Sequence, residues 1–325
     1  GRFRLGDPIS KYLPELAGLR VYAGMQGGKP AFEPSRRDPT MSEVLSHTGG
    51  FAYGLASLEE LQREEGSGAS AVHPIEAMYA RAQVLDPRTS LADMVTKLSK
   101  LPLLFQPGTG WNYSVSNDLQ GRLVEVISGM SFDQYLDERL FGPLDMRDTG
   151  FTLPRKDVER FTSNYLVSAE GMTLADGPAE CLYVEGRGKR FFSGGGGMVS
   201  TARDYLRFAQ MLVNGGELDG VRILSRKTLD LMTTDHLPEG VDMRIADQVV
   251  FPGFGYGLGF GLMLDRAAAG ETQSEGSFWW GGAANTGFWV DPSEQLVGVV
   301  MTQRFPGDQP FANQLQTLTY QALDD

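Results

Sequence analysis

Cysteine is nearly absent: Cys181 is the only one in 325 residues. A disulfide framework within the chain is therefore impossible, and a cysteine-built zinc site is excluded. The lone thiol is expected to pack as a small buried hydrophobe. Histidine is almost as scarce. His47, His73 and His236 lie far apart, with no H-E-x-x-H and no close pair, so no metal site is expected. No run approaches the roughly 18 apolar residues that a membrane-crossing helix needs. Positive charge is in deficit, with 29 Lys and Arg against 41 Asp and Glu and a net charge of -12. A protein that neutralises phosphates must carry a basic patch, so neither nucleic acid nor an anionic membrane is an expected partner. The run Gly186-Arg187-Gly188-Lys189-Arg190 reads as a solvated loop, not as such a patch. No serine has glycine both two before and two after it, which removes the G-x-S-x-G nucleophile elbow. The four glycines Gly194–Gly197 are followed by no G-K-[S/T], so they are not a phosphate loop. They are expected to form a turn between domains whose backbone conformations need glycine.

What is present is enough for a folded chain with a real core. Apolar residues make up 41% and charged residues 22%, which rules out disorder for the chain as a whole. The length predicts about two domains. Leu91, Met94, Val95 and Leu98 fall at helical spacing, as do Leu119, Leu123, Val124 and Ile127. Thr201 to Asp204 has the form of a capping box and opens a further helix, with Tyr205, Phe208, Ala209, Met211 and Leu212 inward. In the last third, residues 256–262 alternate with glycine at every second position, which predicts one strand with a closely approached face. Residues 287–290 and 296–301 predict a β-hairpin through 291–295. The pattern is an α+β architecture. The polar segment Glu64 to Ser70 reads as an exposed loop or flap near the pocket.

Two segments carry the chemistry. One is Pro107-Gly108-Thr109-Gly110-Trp111-Asn112-Tyr113-Ser114-Val115-Ser116-Asn117, just before a helix; the other is Phe278-Trp279-Trp280-Gly281-Gly282-Ala283-Ala284-Asn285-Thr286. With Leu5 to Pro14, Leu45-Ser46-His47-Thr48-Gly49-Gly50, Gly142 to Thr149 and Gly196 to Tyr205, they run in order over nearly the whole chain. Together they resemble the serine β-lactamase and penicillin-binding-protein superfamily, in its class C-like branch near the family VIII carboxylesterases. The resemblance implies a β-lactamase-like fold: an antiparallel sheet flanked by helices plus a mostly helical domain. The expected division is a sheet domain of 1–30 with 196–325, and a helical domain of 31–195 carrying Tyr113.

The same resemblance implies three motifs. In S-x-x-K, on a buried helix, the lysine amine sits one turn from the serine and helps remove its proton. None of this chain's lysines, at 11, 29, 97, 100, 156, 189 and 227, has serine three residues before it. In the family this motif lies upstream of the segment matching Gly1 to Pro8. The chain opens without methionine, like the middle of a protein. The expectation is therefore an N-terminal piece with the nucleophile, its lysine and the first strands of the sheet, whether in the same protein or as a separate fragment. The second motif reads Tyr113-Ser114-Val115, which implies Tyr113 as general base, its phenolate favoured by the lysine charge; ordinary packing is the alternative. The lactamase asparagine is replaced by Val115, against amide recognition of that kind. The third motif reads Trp280-Gly281-Gly282. Its glycines let backbone approach a substrate, and the Ala283 N–H is the implied oxyanion donor beside the serine's own amide. Trp280 stands where lactamases carry lysine, so a β-lactam carboxylate would lose its cation, whereas an uncharged ester loses nothing. Trp279 reads as a core aromatic, and His47 as a structural residue, since the family chemistry needs no histidine.

The expected function is a serine carboxylesterase cleaving short-chain acyl esters through an acyl-enzyme, with no metal and no cofactor. A β-lactamase or D-alanyl peptidase is the alternative among enzymes, and a catalytically silent scaffold the alternative outside them. The expected partner is a small-molecule ester, and a cytoplasmic location is favoured. Oligomeric state is left open.

Overall fold

The computed structural model describes residues 1–55, 72–245, 249–307 and 309–323. The Glu64 to Ser70 segment lies outside these. Two compact units emerge, the first from 1–132, 190–197 and 236–250, the second from 133–189, 198–235 and 251–325. These boundaries differ from the expected division. Residues 1–30 go with the helices of the first unit because the Arg20–Gln26 strand bonds there: Tyr22 N–H donates to Leu103 O (2.9 Å) and Leu103 N–H to Arg20 O (2.8 Å). Residues 133–189 go with the sheet unit instead.

The first unit holds the Arg20–Gln26 and Lys29–Pro34 hairpin and the helices Met41–Leu45, Pro74–Arg81, Leu91–Leu98 and Ser116–Ser128. Local chemistry sets several helix ends. Thr40 with Glu43, and Ser90 with Asp93, each form a reciprocal capping box that satisfies two orphan amides. Gly129, at φ 76°, ends the Ser116–Ser128 helix in the left-handed conformation that glycine adopts freely. The anticipated apolar stripe of Leu91, Met94, Val95 and Leu98 is buried, as are Leu119 and Leu123.

The second unit is built on an antiparallel sheet of five strands in the order Leu296–Val300, Gly287–Asp291, Phe278–Gly281, Gly261–Met263, Phe254–Tyr256. Leu262, Phe278, Phe288 and Val290 bury against Ala209 and Leu212 of the Ala202–Val213 helix. Thr201 caps that helix by accepting the Asp204 N–H (3.2 Å), but only half of a box forms. The Asp204 carboxylate turns instead to the Asp148 N–H (2.7 Å) and the Thr149 hydroxyl (3.0 Å).

The anticipated hairpin 287–291 to 296–300 is present. The single strand expected over 256–262 is not. Gly261 pairs with Tyr256, and Gly257 N–H bonds Phe260 O (2.8 Å), so the segment folds back on itself. Gly259, at φ 105°, supplies the reversal. The glycines are closely approached even so. Gly261, Trp279, Trp289 and Gly298 form one cross-strand row. Trp279 covers Gly261 and Trp289 covers Gly298, where an added Cβ would come within 2.1 Å of the ring. Helices and antiparallel strands share both units, an α+β fold.

Candidate active site

Tyr113 belongs to the first unit. Residues 104–115 are tied across 48–52 and His47 by backbone hydrogen bonds. Leu104 N–H meets Gly50 O (2.7 Å), Gly108 N–H meets Thr48 O (2.9 Å), Asn112 N–H meets His47 O (3.0 Å) and Val115 N–H meets Ala52 O (3.2 Å). Gly50 is required here: φ is +85°, and a Cβ would stand 2.5 Å from Phe105 O. The strapping brings the Tyr113 ring to 4.6 Å from the His47 ring and 5.6 Å from the Tyr53 ring, centroid to centroid. One helical turn on, Asn117 donates from Nδ2 to the Tyr113 hydroxyl oxygen (3.2 Å).

His47 is buried and holds a left-handed backbone, φ 59°. Its Nδ1 accepts the Ser114 N–H (3.2 Å). Burial pushes the imidazole pKa down to about 3, with a hydrogen bond to Asn117 acting the other way. It is a neutral structural acceptor, as read from the sequence, and it abuts the candidate base. Ser114 Oγ lies 2.9 Å from Ser116 Oγ and accepts the Ser116 N–H (3.3 Å). This engages an amide at a helix start for which Val115 offers no side-chain cap.

Asp118, fully buried, accepts from the Ser193 hydroxyl and from Gly195 N–H (3.4 Å) through Oδ1. Burial raises its carboxyl pKa. The glycine run 194–197 packs on this helix start, and the reason for glycine differs from the expected one. None of the four has a positive φ. A Cβ on Gly194 would stand 2.2 Å from Asn117 O, and one on Gly195 would stand 3.1 Å from the Tyr53 hydroxyl. Space, not backbone conformation, demands glycine at 194 and 197, whereas a Cβ on Gly196 would meet nothing within 4 Å.

Trp280, Gly281, Gly282 and Ala283 lie together in the second unit. Trp280 is half-buried, edge-on to Tyr256 (5.2 Å) and stacked on Trp279 (5.6 Å). Trp279 continues to Phe254 (5.7 Å) and belongs to the packing. Beyond the strand, Gly282 N–H bonds Thr286 O (2.9 Å) and Asn285 N–H bonds Gly282 O (3.0 Å), closing a tight turn. Asn285 adopts φ 59° within it. The Thr302 hydroxyl sits 2.9 Å from both Ala284 O and Asn285 O and braces the turn. Gly281, Gly282 and Ala283 are exposed. Among the described residues nothing accepts the Ala283 N–H, so this amide is available as a donor.

In the basic run Gly186, Gly188 and Arg190 are exposed, as a solvated loop should be, while Arg187 and Lys189 are partly buried. Arg187 donates to Pro178 O (2.8 Å) and Cys181 O (3.2 Å), and the Lys189 ammonium lies 3.7 Å from the Tyr183 ring centre. Burial lowers the Lys189 pKa to about 8. Cys181 is buried, as a small hydrophobe should be. No cluster of three metal-ligating side chains occurs among the described residues, and none of their helices is long and apolar enough to cross a membrane.

Sequence reasoning named Tyr113 and the Trp280 to Ala283 segment as candidates. It passed over Asn117, Gln120, Tyr53 and Asp118. The available signal was the Tyr113–Asn117 spacing of one turn at a helix start, followed by Gln120 one turn further.

A β-lactamase family model matches residues 1–321, and the chain belongs to that family. Protein Rv1367c of Mycobacterium tuberculosis is 32% identical over 94% of this chain and 72% of its own length. Esterase EstB of Burkholderia gladioli is 29% identical over 93% of this chain and 71% of its own. Among solved structures, unliganded simvastatin synthase (LovD) of Aspergillus terreus superposes with a TM-score of 0.78 at 21% identity, covering 100% of this chain and 80% of that one, which supports the fold. The chain is an enzyme of this family, a hydrolase of the esterase kind.

Proposed function

We propose that this protein is a serine carboxylesterase acting on short-chain acyl esters, with Tyr113 as general base and the Ala283 N–H as an oxyanion donor. S-x-x-K is absent from this sequence, so the nucleophilic serine and its lysine come from polypeptide outside it. In acylation the serine O–H bond breaks, its proton passes to the Tyr113 oxygen, and the serine oxygen bonds the ester carbon. The carbonyl oxygen takes the negative charge and is held by backbone N–H groups. The C–O bond to the alcohol then breaks, and the alcohol oxygen leaves with the proton from Tyr113. Water, deprotonated by the same phenolate, releases the acid and restores the serine.

The observation that carries the ester preference is Trp280. An indole, packed on Tyr256 and Trp279, fills the motif position that holds lysine in lactamases. It offers an apolar wall and no partner for a β-lactam carboxylate. The test is turnover by the full-length protein of a chromogenic short-chain ester against a chromogenic cephalosporin. Ester hydrolysis should dominate in kcat/KM; faster lactam hydrolysis refutes the reading.

A further inference from the structure

We propose that Asn117 is a positioning residue that sets both the orientation and the acidity of the Tyr113 phenol. The inference deepens the general-base reading above and rests on it.

The direction of each hydrogen bond follows from one unambiguous acceptor. A carboxamide can be placed either way round, so its oxygen and nitrogen are distinguished by their partners. The Gln120 side chain meets the backbone carbonyl of Val44 at 3.3 Å. A carbonyl only accepts, so the Gln120 atom there is Nε2. The same nitrogen lies 3.2 Å from one terminal atom of Asn117, which must accept and is therefore Oδ1. Nδ2 of Asn117 is then the atom that faces the Tyr113 oxygen at 3.2 Å, and it donates. The chain Val44 O, Gln120, Asn117, Tyr113 thus has a single polarity. It commits one lone pair of the phenol oxygen to an incoming N–H.

Two consequences follow. The phenol proton, when present, is turned away from Asn117, so the oxygen exchanges protons on another side. A donor to the phenol oxygen also stabilises the phenolate more than the phenol, which lowers the pKa and raises the fraction of competent base. The other groups near the phenol are the buried, neutral His47 ring, the Tyr53 hydroxyl, kept protonated by burial, and Asp118, on the same helix, an acceptor. The lysine assigned to the external segment adds its charge equally in parent and variants. The family resemblance puts Val115, not an asparagine, at the third position of the motif. The carboxamide stands two residues later, on the first turn of the Ser116–Ser128 helix.

The test uses the full-length protein carrying ¹³Cζ-tyrosine, with the Tyr113 resonance assigned by its loss in Tyr113→Phe. Asn117→Leu removes the donor; Asn117→Asp keeps the shape and presents an acceptor. Both should raise the phenol pKa by about one unit. They should move the acid limb of the kcat/KM profile to higher pH by the same amount. Below that limb kcat falls about tenfold with KM little changed. Asn117→Asp is nearly isosteric, so it reads the effect even if Asn117→Leu does not fold. Coincident phenol titrations in Asn117→Asp and the parent overturn the inference. Full turnover by Tyr113→Phe overturns the general-base reading instead, while the phenol titration still decides the Asn117 hydrogen bond.

Discussion

Around Tyr113 the first unit buries Ser46, His47, Thr48, Ser114, Ser116 and Asp118; around Trp280 the second unit gathers Tyr256, Trp279 and Phe254 and then exposes Gly281, Gly282 and Ala283. The first neighbourhood is a network of buried, hydrogen-bonded side chains. Buried polar groups are costly unless paired, so the network holds its phenol rigidly. The second is held by ring contacts and a braced turn, and what it offers a ligand is backbone. A proton-transfer group needs a fixed direction and a tuned acidity. An oxyanion donor needs only an exposed N–H at the end of a rigid strand.

If that contrast is right, substitutions in the two places should fail differently. Tyr113→Phe should cost most: about 10²–10⁴-fold in kcat, with unchanged thermal unfolding, because it removes only the proton carrier. Near-parental turnover would break the comparison at its first term. Ala283→Pro, which deletes the exposed N–H, should lower kcat about 10²–10³-fold with little change in melting temperature. A loss confined to KM would mean that the amide binds substrate and not the oxyanion.

The third test concerns the network through His47. Its folded pKa, about 3, lies below the ordinary 6.5. Folding thus favours the neutral ring, and this stability is present above pH 6.5 and lost as pH falls toward 3. From this group alone the protein should be roughly 2 kcal/mol less stable at pH 5 than at pH 7. Urea unfolding of the parent and of His47→Gln at the two pH values checks it, since the variant should lose that share of the pH dependence. The smallest effect is expected from Trp280→Leu. The half-exposed indole gives up two ring contacts, so KM for an apolar ester should rise severalfold and stability should drop by about 1–2 kcal/mol. An unchanged KM would show that Trp280 only packs.

Much of this was legible in the order of residues. Leu91, Met94, Val95 and Leu98 announce their buried stripe because helical periodicity maps spacing onto one face. Residues 287–300 announce their hairpin through aromatic and β-branched residues on either side of a turn segment. Residues 256–262 did not, because alternating glycine suits both a flat strand and a tight reversal. Only pairing of Gly261 with Tyr256 selects the reversal. The run Gly194–Gly197 signalled a constraint without its cause, since nothing local reveals that Asn117 O would stand 2.2 Å from a side chain there.

Sequence alone supplied the candidate residues of the site, Tyr113 before its helix and the Trp280 to Ala283 segment, through their resemblance to the family's motifs. Tertiary structure decided what each can do. Whether a phenol oxygen receives an N–H, a histidine stays neutral or an amide remains free depends on atoms brought within about 3 Å from distant parts of the chain, and hydrogen bonding and desolvation act only over such distances.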